Sequence, residues 1–432
     1  MDEPPGPQAG EQHGGGEPSD DPAGSSHGEH GRRDHIPQPD RIAEYGEQGR
    51  RAGVAGDGGG GGDMGEGGVG ALGGHGDWRA HALRGNPDRR AALLAMPKAE
   101  LHLHLDGSLR IDTAIDLARS RGIDAPLDVA GMRAALGAPM PCRNQAELLR
   151  AFDLPIALMQ DAEALERITT ELIETKAAEN VRYLEIRWGP LLHVARGLSL
   201  PDGIAAVTRG ARDAAARTGT EVRLICTAIR SHEPAANLEL AEAAVRSGDG
   251  MLTGWDLAGD EERFPDPKIH AAAFAVARAG GLRITLHAGE WDGAAQVRQA
   301  LELDPERIAH GPVAIDDRAL CAELIARGVT LDLCPTSNWQ AGVVPSIASH
   351  PLARLHRLGV RVTLSTDDMT VSDLSLTDEY ERSIDQIGLT IEELWAIDRH
   401  ALAVAFADTP TRDRLRSEFD AWAERAGLSR SG

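Results

Sequence analysis

Residues 96–110 read MPKAELHLHLDGSLR, and the fold turns on how this stretch is heard. ELHLHL (100–105) alternates with a period of two, the signature of a strand, and is followed at once by the turn residues Asp106 and Gly107. Alternate side chains of a strand share a face, so His102 and His104 point the same way, side by side. A single inward histidine is ordinary packing. Two at i and i+2 where a strand closes are better explained as metal ligands.

Further along the chain, short apolar or β-branched runs recur at 181–187 (VRYLEIR), 221–229 (EVRLICTAI), 251–257, 283–287 (RITLH), 307–310, 329–334 (VTLDLC) and 361–366 (RVTLST). Ala/Leu/Glu/Arg-rich stretches with helical spacing separate most of them, such as 267–279 and 317–327. Strands alternating with helices imply a parallel sheet, and eight strands is the number that closes a (β/α)8 TIM barrel. The same alternation also permits an open, doubly wound sheet. The longest connection follows the first strand and is helical through residues 146–180; its place predicts a cap over the barrel mouth. A last amphipathic helix is expected over 412–427.

The first 78 residues have a different character. They hold 24 of the 49 glycines, and their 15 acidic and 5 basic residues leave a charge of −10. So little apolar surface cannot offset the entropy of ordering, and residues 1–78 are expected to be a disordered acidic tail before a single domain spanning 79–432. The glycine run 58–62 has no GK[ST] after it and is not a phosphate loop; His13, His27, His30, His35 and His75 read as solvated tail residues.

A hydrophobic fraction of 41% supports one large core, and the formal net charge of −22 disfavours nucleic acid and anionic membrane surfaces as partners. A small molecule suits that field better. No signal-peptide pattern opens the sequence, no apolar stretch would span a bilayer, and four scattered cysteines form no CxxC pair, a usage expected of a cytoplasmic protein. Oligomeric state leaves no readable motif.

Chemistry-bearing residues gather at the C-terminal ends of the strands, where barrel enzymes build their sites. The fifth strand ends in HAGE, which offers His287 as a third nitrogen ligand and Glu290 just beyond it; the sixth ends in AHG with His310, the eighth in TDD with Asp367 and Asp368. Three histidines and a carboxylate form a donor set suited to Zn²⁺ with one position left open. The fourth strand (MLTGWDLAGD) carries no lysine that could bridge two metals, so one metal is expected and His310 is left to act on water. Cys334 reads as a packed thiol, Ser337 and Asn338 as loop-shaping residues, and His193, His232 and His270 as surface or packing residues.

Over residues 96–402 the chain resembles the adenosine deaminase family. The resemblance is carried by MPKAELHLHLDGSLR, DLAGDE, HAGE, IAHG, CPTSN and STDD, in the family's order. It implies hydrolytic deamination of adenosine or 2′-deoxyadenosine with one zinc per subunit. His102, His104, His287 and Asp367 would be the metal ligands. His310 would orient and deprotonate the attacking water, and Glu290 would stay protonated to serve N1 of the purine. Asp368 would meet N7, the Gly259 backbone N3, and Asp106 a sugar hydroxyl, with His104 on the same substrate-facing side. Two segments depart from the family pattern: Arg187-Trp188-Gly189-Pro190 replaces a serine-proline, and Met369-Thr370-Val371 stands where many relatives have proline. Both border the pocket rim, which leaves adenine and 6-aminodeoxyfutalosine open as substrates, and an inactive nucleoside-binding barrel as the non-enzymatic reading.

Overall fold

The computed structural model describes residues 88–428; the expectations for the tail, residues 1–78, fall outside them. Eight parallel strands follow one another in sequence order: β1 (Lys98–His104), β2 (Val181–Trp188), β3 (Glu221–Ile229), β4 (Leu252–Ala258), β5 (Arg283–His287), β6 (Arg307–Ala309), β7 (Thr330–Leu333) and β8 (Arg361–Leu364). Sequential order rules out the doubly wound alternative, which needs a reversal of strand order. The protein is a (β/α)8 barrel.

Its seam lies between β8 and β1. Leu103 pairs with Asp367 across it. The His104 amide donates to the Asp367 carbonyl (2.8 Å), and the Asp367 amide to the His102 carbonyl (3.0 Å). Side chains finish what the ladder leaves open: the Ser365 hydroxyl accepts from the amides of Leu101 and His102 at 3.3 and 3.2 Å. The Thr366 amide and hydroxyl both donate to Glu100 Oε1, at 2.9 and 2.6 Å. This explains why β8 stops at Leu364 rather than at the expected Thr366. β1 likewise ends one residue early, at His104, although the Leu105 amide still donates to the Arg187 carbonyl of β2 (2.9 Å).

The barrel interior is packed and charged. Arg187, entirely buried, donates to Asp256 Oδ2 (3.1 Å) and to the Leu101 carbonyl (3.0 Å). Arg307 donates to Asp332 Oδ2 (2.9 Å) and to Glu185. Buried charges survive only when paired and hydrogen-bonded, and these arginines and carboxylates form such a floor beneath the C-terminal mouth. Outside the strands, apolar faces of the helices complete one continuous core around Trp188, Trp255 and Trp395.

The connection after β1 holds the helices Ile111–Arg121, Val129–Leu136, Gln145–Leu149, Asp153–Leu158 and Ala162–Ala178. Part of it does cover the mouth. Cys142, Leu148 and Ala151 pack with Ala341 and Val371 from the loops after β7 and β8, joined by Trp291 and Phe152. The Gln145 amide reaches the Gly259 carbonyl at 3.4 Å. The C-terminal helix, Thr409–Ala426, starts earlier than expected because Asp408 caps it, accepting the Thr411 amide at 2.9 Å. Among the described residues, no helix is long and apolar enough to cross a membrane.

Candidate active site

Every site residue named from the sequence lies at the C-terminal end of the barrel. β1 delivers His102 and His104 with ring centroids 5.4 Å apart, as strand alternation requires. Asp367 receives both: His102 Nε2 is 3.0 Å and His104 Nε2 3.3 Å from its Oδ1. His287 ends β5, with Nε2 3.2 Å from His104 Nε2. His310, just past β6, has Nε2 3.7 Å from Asp367 Oδ2 and 3.7 Å from Glu290 Oε1. One ligand atom each from His102, His287, His310 and Asp367 lies within 4.8 Å of all the others. Five side chains therefore face one centre, and the four other than His310 suffice to ligate a tetrahedral ion.

Two of these residues take an unusual backbone. His310 and Asp367 both have φ of 68°, a left-handed conformation that costs non-glycine residues about 1–3 kcal/mol each.

The donors fit a metal ion. Burial drives His104 and His310 down to about 3 and His102 well below its usual value, so these imidazoles are neutral, and His102 and His104 can offer lone pairs to a cation. Burial alone would raise Asp367, but His102 and His310 hold its carboxyl well below the usual range. Apart from its contact with Asp367, the buried His102 ring makes no hydrogen bond. Two imidazole nitrogens 3.2 Å apart, beside a carboxylate, call for a cation between them.

The next layer of residues orients these donors. His287 Nδ1 lies 3.0 Å from Asp256 Oδ2, so the Nδ1 proton faces the carboxylate and the Nε2 lone pair faces the centre. Asp256 is fixed in turn by Arg187 (3.1 Å); burial would push its carboxyl up, but His287 and Arg187 hold it far below the usual range. The Ser337 hydroxyl donates to Asp367 Oδ2 at 2.7 Å. Replacing Asp256 with asparagine is expected to weaken metal affinity by about 10–100-fold. Competition against a chelator, with circular dichroism to confirm the fold, measures this; unchanged affinity would show that His287 needs no orienting carboxylate.

Glu290 and Asp368 share one property. Burial, then the nearby charge of Asp367, raises both carboxyls well above the usual range; Glu261 adds to the effect on Glu290, and Asp106 and Glu290 add to that on Asp368. Asp368 lies directly against Gly107, where a Cβ would sit 1.7 Å from Asp368 Oδ1. Asp106, pushed by burial up to about 6, stands 4.0 Å from His104 Nδ1. Gly259, at the end of β4, has φ of 106°, a conformation open to glycine but strained for other residues.

Several residues escaped the sequence reading. Asp256 carried no strand-end signal. Ser337 and Asn338, read as loop-shaping, bond Asp367 and His310 directly. His193 is buried with Nε2 3.9 Å from Asp106 Oδ2, closer to the site than its reading allowed. His270 is a packing residue as expected, with Nδ1 3.1 Å from Asn237 Nδ2. Cys334 is a buried thiol, also as expected. At the rim, the Met369 amide donates to the Ser108 hydroxyl (3.2 Å), a bond that proline at this position could not make.

Residues 97–422 match the family model described as adenosine deaminase. An adenosine deaminase of Clostridium perfringens is 36% identical over 327 residues, covering 75% of this chain and 98% of that protein. Among solved structures, an amidohydrolase from Burkholderia ambifaria with bound zinc aligns with a TM-score of 0.72 and 28% identity, over 80% of this chain and 96% of that one. An adenine deaminase from Arthrobacter aurescens gives 0.71 and 26%, over 76% and 99%.

Proposed function

This chain belongs to the adenosine deaminase family of hydrolytic deaminases, and from that premise we propose that it converts adenosine or 2′-deoxyadenosine to the inosine form and ammonia, with one zinc ion per subunit. The carrying observation is the buried donor cluster with the Glu290 carboxyl beside it, 3.7 Å from His310 Nε2; burial pushes the carboxyls of Glu290 and Asp368 upward, which agrees with it. Purine ring nitrogens accept hydrogen bonds, and a protonated carboxyl supplies a donor where a carboxylate would repel.

In this reading His102, His104, His287 and Asp367 hold the metal. When bound, zinc supplies the Lewis acidity by which water becomes nucleophilic near pH 7. His310, between Glu290 and Asp367, orients the attacking water. Glu290 gives its proton to N1, which relieves the charge that builds as C6 is attacked. Asp368 donates to N7 and the Gly259 backbone serves N3. Asp106, with His104 alongside, meets the sugar hydroxyl, which favours a nucleoside over a free base.

The domain carrying this activity is taken to be residues 79–432. Deleting residues 1–78 is expected to leave kcat and KM unchanged in a direct comparison with the full chain; a large loss would give the tail a part in the site. The four free buried cysteines agree with a reducing, cytoplasmic setting.

The deciding experiment incubates the zinc-loaded chain separately with adenosine, adenine and 6-aminodeoxyfutalosine, following the 6-amino chromophore and ammonia release. Adenosine is expected to have the highest kcat/KM. Preference for adenine would remove the sugar-reading role of Asp106. Preference for 6-aminodeoxyfutalosine would keep the chemistry and move the enzyme into menaquinone synthesis. No turnover with zinc bound would favour a nucleoside-binding barrel without catalysis.

A further inference from the structure

Two buried side chains link His310 to a backbone amide. The Leu352 amide lies 3.2 Å from His350 Nδ1. His350 Nε2 lies 3.1 Å from Asn338 Oδ1, and Asn338 Nδ2 lies 3.1 Å from His310 Nδ1. His310, Asn338 and His350 are all buried, so bulk water does not compete for the bonds that join them.

The direction of this chain is fixed at its far end. A backbone amide can only donate, so His350 Nδ1 accepts and the ring of neutral His350 carries its proton on Nε2. That proton goes to Asn338, whose oxygen must then face His350. The amide nitrogen of Asn338 consequently faces His310 and donates to its Nδ1. With Nδ1 accepting, neutral His310 carries its proton on Nε2, the nitrogen turned toward Glu290 and Asp367. No choice of amide orientation or ring tautomer is left free once the Leu352 amide is counted.

We propose that Asn338 and His350 are positioning residues that lock His310 as its Nε2–H tautomer, so that His310 presents a hydrogen-bond donor to the attacking oxygen. This rests on the reading of His310 as the residue that orients the attacking water. The resemblance implied that His310 also takes the water's proton. With Nδ1 engaged by a donor and Nε2 already protonated, neither nitrogen has a free lone pair for it. To reverse the relay, Asn338 would have to turn over and His350 would have to bring an N–H against the Leu352 N–H. The orienting role remains, and the water's proton would go to solvent, since water held on zinc ionises near pH 7.

Two-bond ¹⁵N–¹H correlation spectra of the full chain, labelled on histidine and loaded with zinc, read the tautomer of each ring without substrate; His310→Gln assigns the relevant signal. The expected spectrum has His310 protonated at Nε2 alone. Asn338→Asp places a carboxylate against Nδ1 and should switch the ring to the Nδ1–H form. It should also lower kcat by about 10²-fold or more, the usual effect of losing one positioned donor, while KM changes little. His350→Ala removes the lock and should leave His310 as a tautomer mixture, which gives a second route should Asn338→Asp fold poorly. A wild-type His310 protonated at Nδ1, or at both nitrogens, would overturn the proposal, as would a tautomer indifferent to both substitutions. Because the spectra need no substrate, failure of every purine to react would strike the proposed function while this reading of His310 is decided separately.

Discussion

Glu290→Gln is expected to bind zinc as the parent does and to lose about 10²–10⁴-fold in kcat, the range carried by a positioned general acid. Glutamine keeps the volume and can still donate a hydrogen bond, but it has no proton to transfer. Burial, then the charges of Asp367 and Glu261, pushes the Glu290 carboxyl upward, toward the acid form. Its backbone is held as well, since Glu261 Oε2 accepts from the amides of Glu290 and Trp291, both at 3.2 Å. The substitution therefore tests proton transfer rather than placement. Steady-state kinetics with adenosine, alongside metal content by elemental analysis, measures it. Activity within tenfold of the parent, with metal retained, would sink the acid role.

The second large effect is expected from one methyl group. In Gly107→Ala the added Cβ would lie 1.7 Å from Asp368 Oδ1, 2.4 Å from its Cγ and 2.7 Å from its Cβ. Gly107 has little room to retreat, because its carbonyl accepts the amides of Thr370 (2.9 Å) and Val371 (3.3 Å). Asp368 must give way, and its carboxyl leaves the place proposed for N7. A misplacement of about 1 Å near a reaction centre costs on the order of 10²-fold in rate, and a comparable fall in kcat/KM is expected here. Asp368→Ala provides the comparison: the two variants should be similarly impaired while both keep zinc. A near-normal Gly107→Ala would mean that Asp368 works from a different position.

Much of this site was legible because each strand end carries its own short signature. His102 and His104 announce themselves by alternation, and HAGE, AHG and STDD by polar residues closing apolar strands. What escaped notice are contacts between strands. Asp256 lies within β4 and gains its role only when β5 pairs beside it and brings His287 to 3.0 Å. His350 follows Asn338 by 12 positions through a loop without periodicity, and nothing local marks it as a partner. Arg187 read as a departure at the rim, yet it lies inside the barrel against Asp256. Strand boundaries shifted for the same reason: Ser365 and Thr366 continue β8 in pattern, but their side chains serve β1 instead.

The seam gives the site a history as well as a shape. Leu101 is joined to the Ser365 hydroxyl across 264 residues of chain. A ribosome adding about 5–20 residues per second needs roughly 13–53 s to cover that distance. Throughout that interval the growing chain has β1 and its two histidines but lacks the strand that closes beside them. β2 can pair with β1 early, through Lys98 to Val181 and His104 to Arg187, while the other edge of β1 waits. Asp367 arrives with the closing strand, so the last backbone hydrogen bonds of the barrel and the last member of the donor cluster form together. A chain interrupted before residue 367 is thus an open sheet and an inactive protein at the same time.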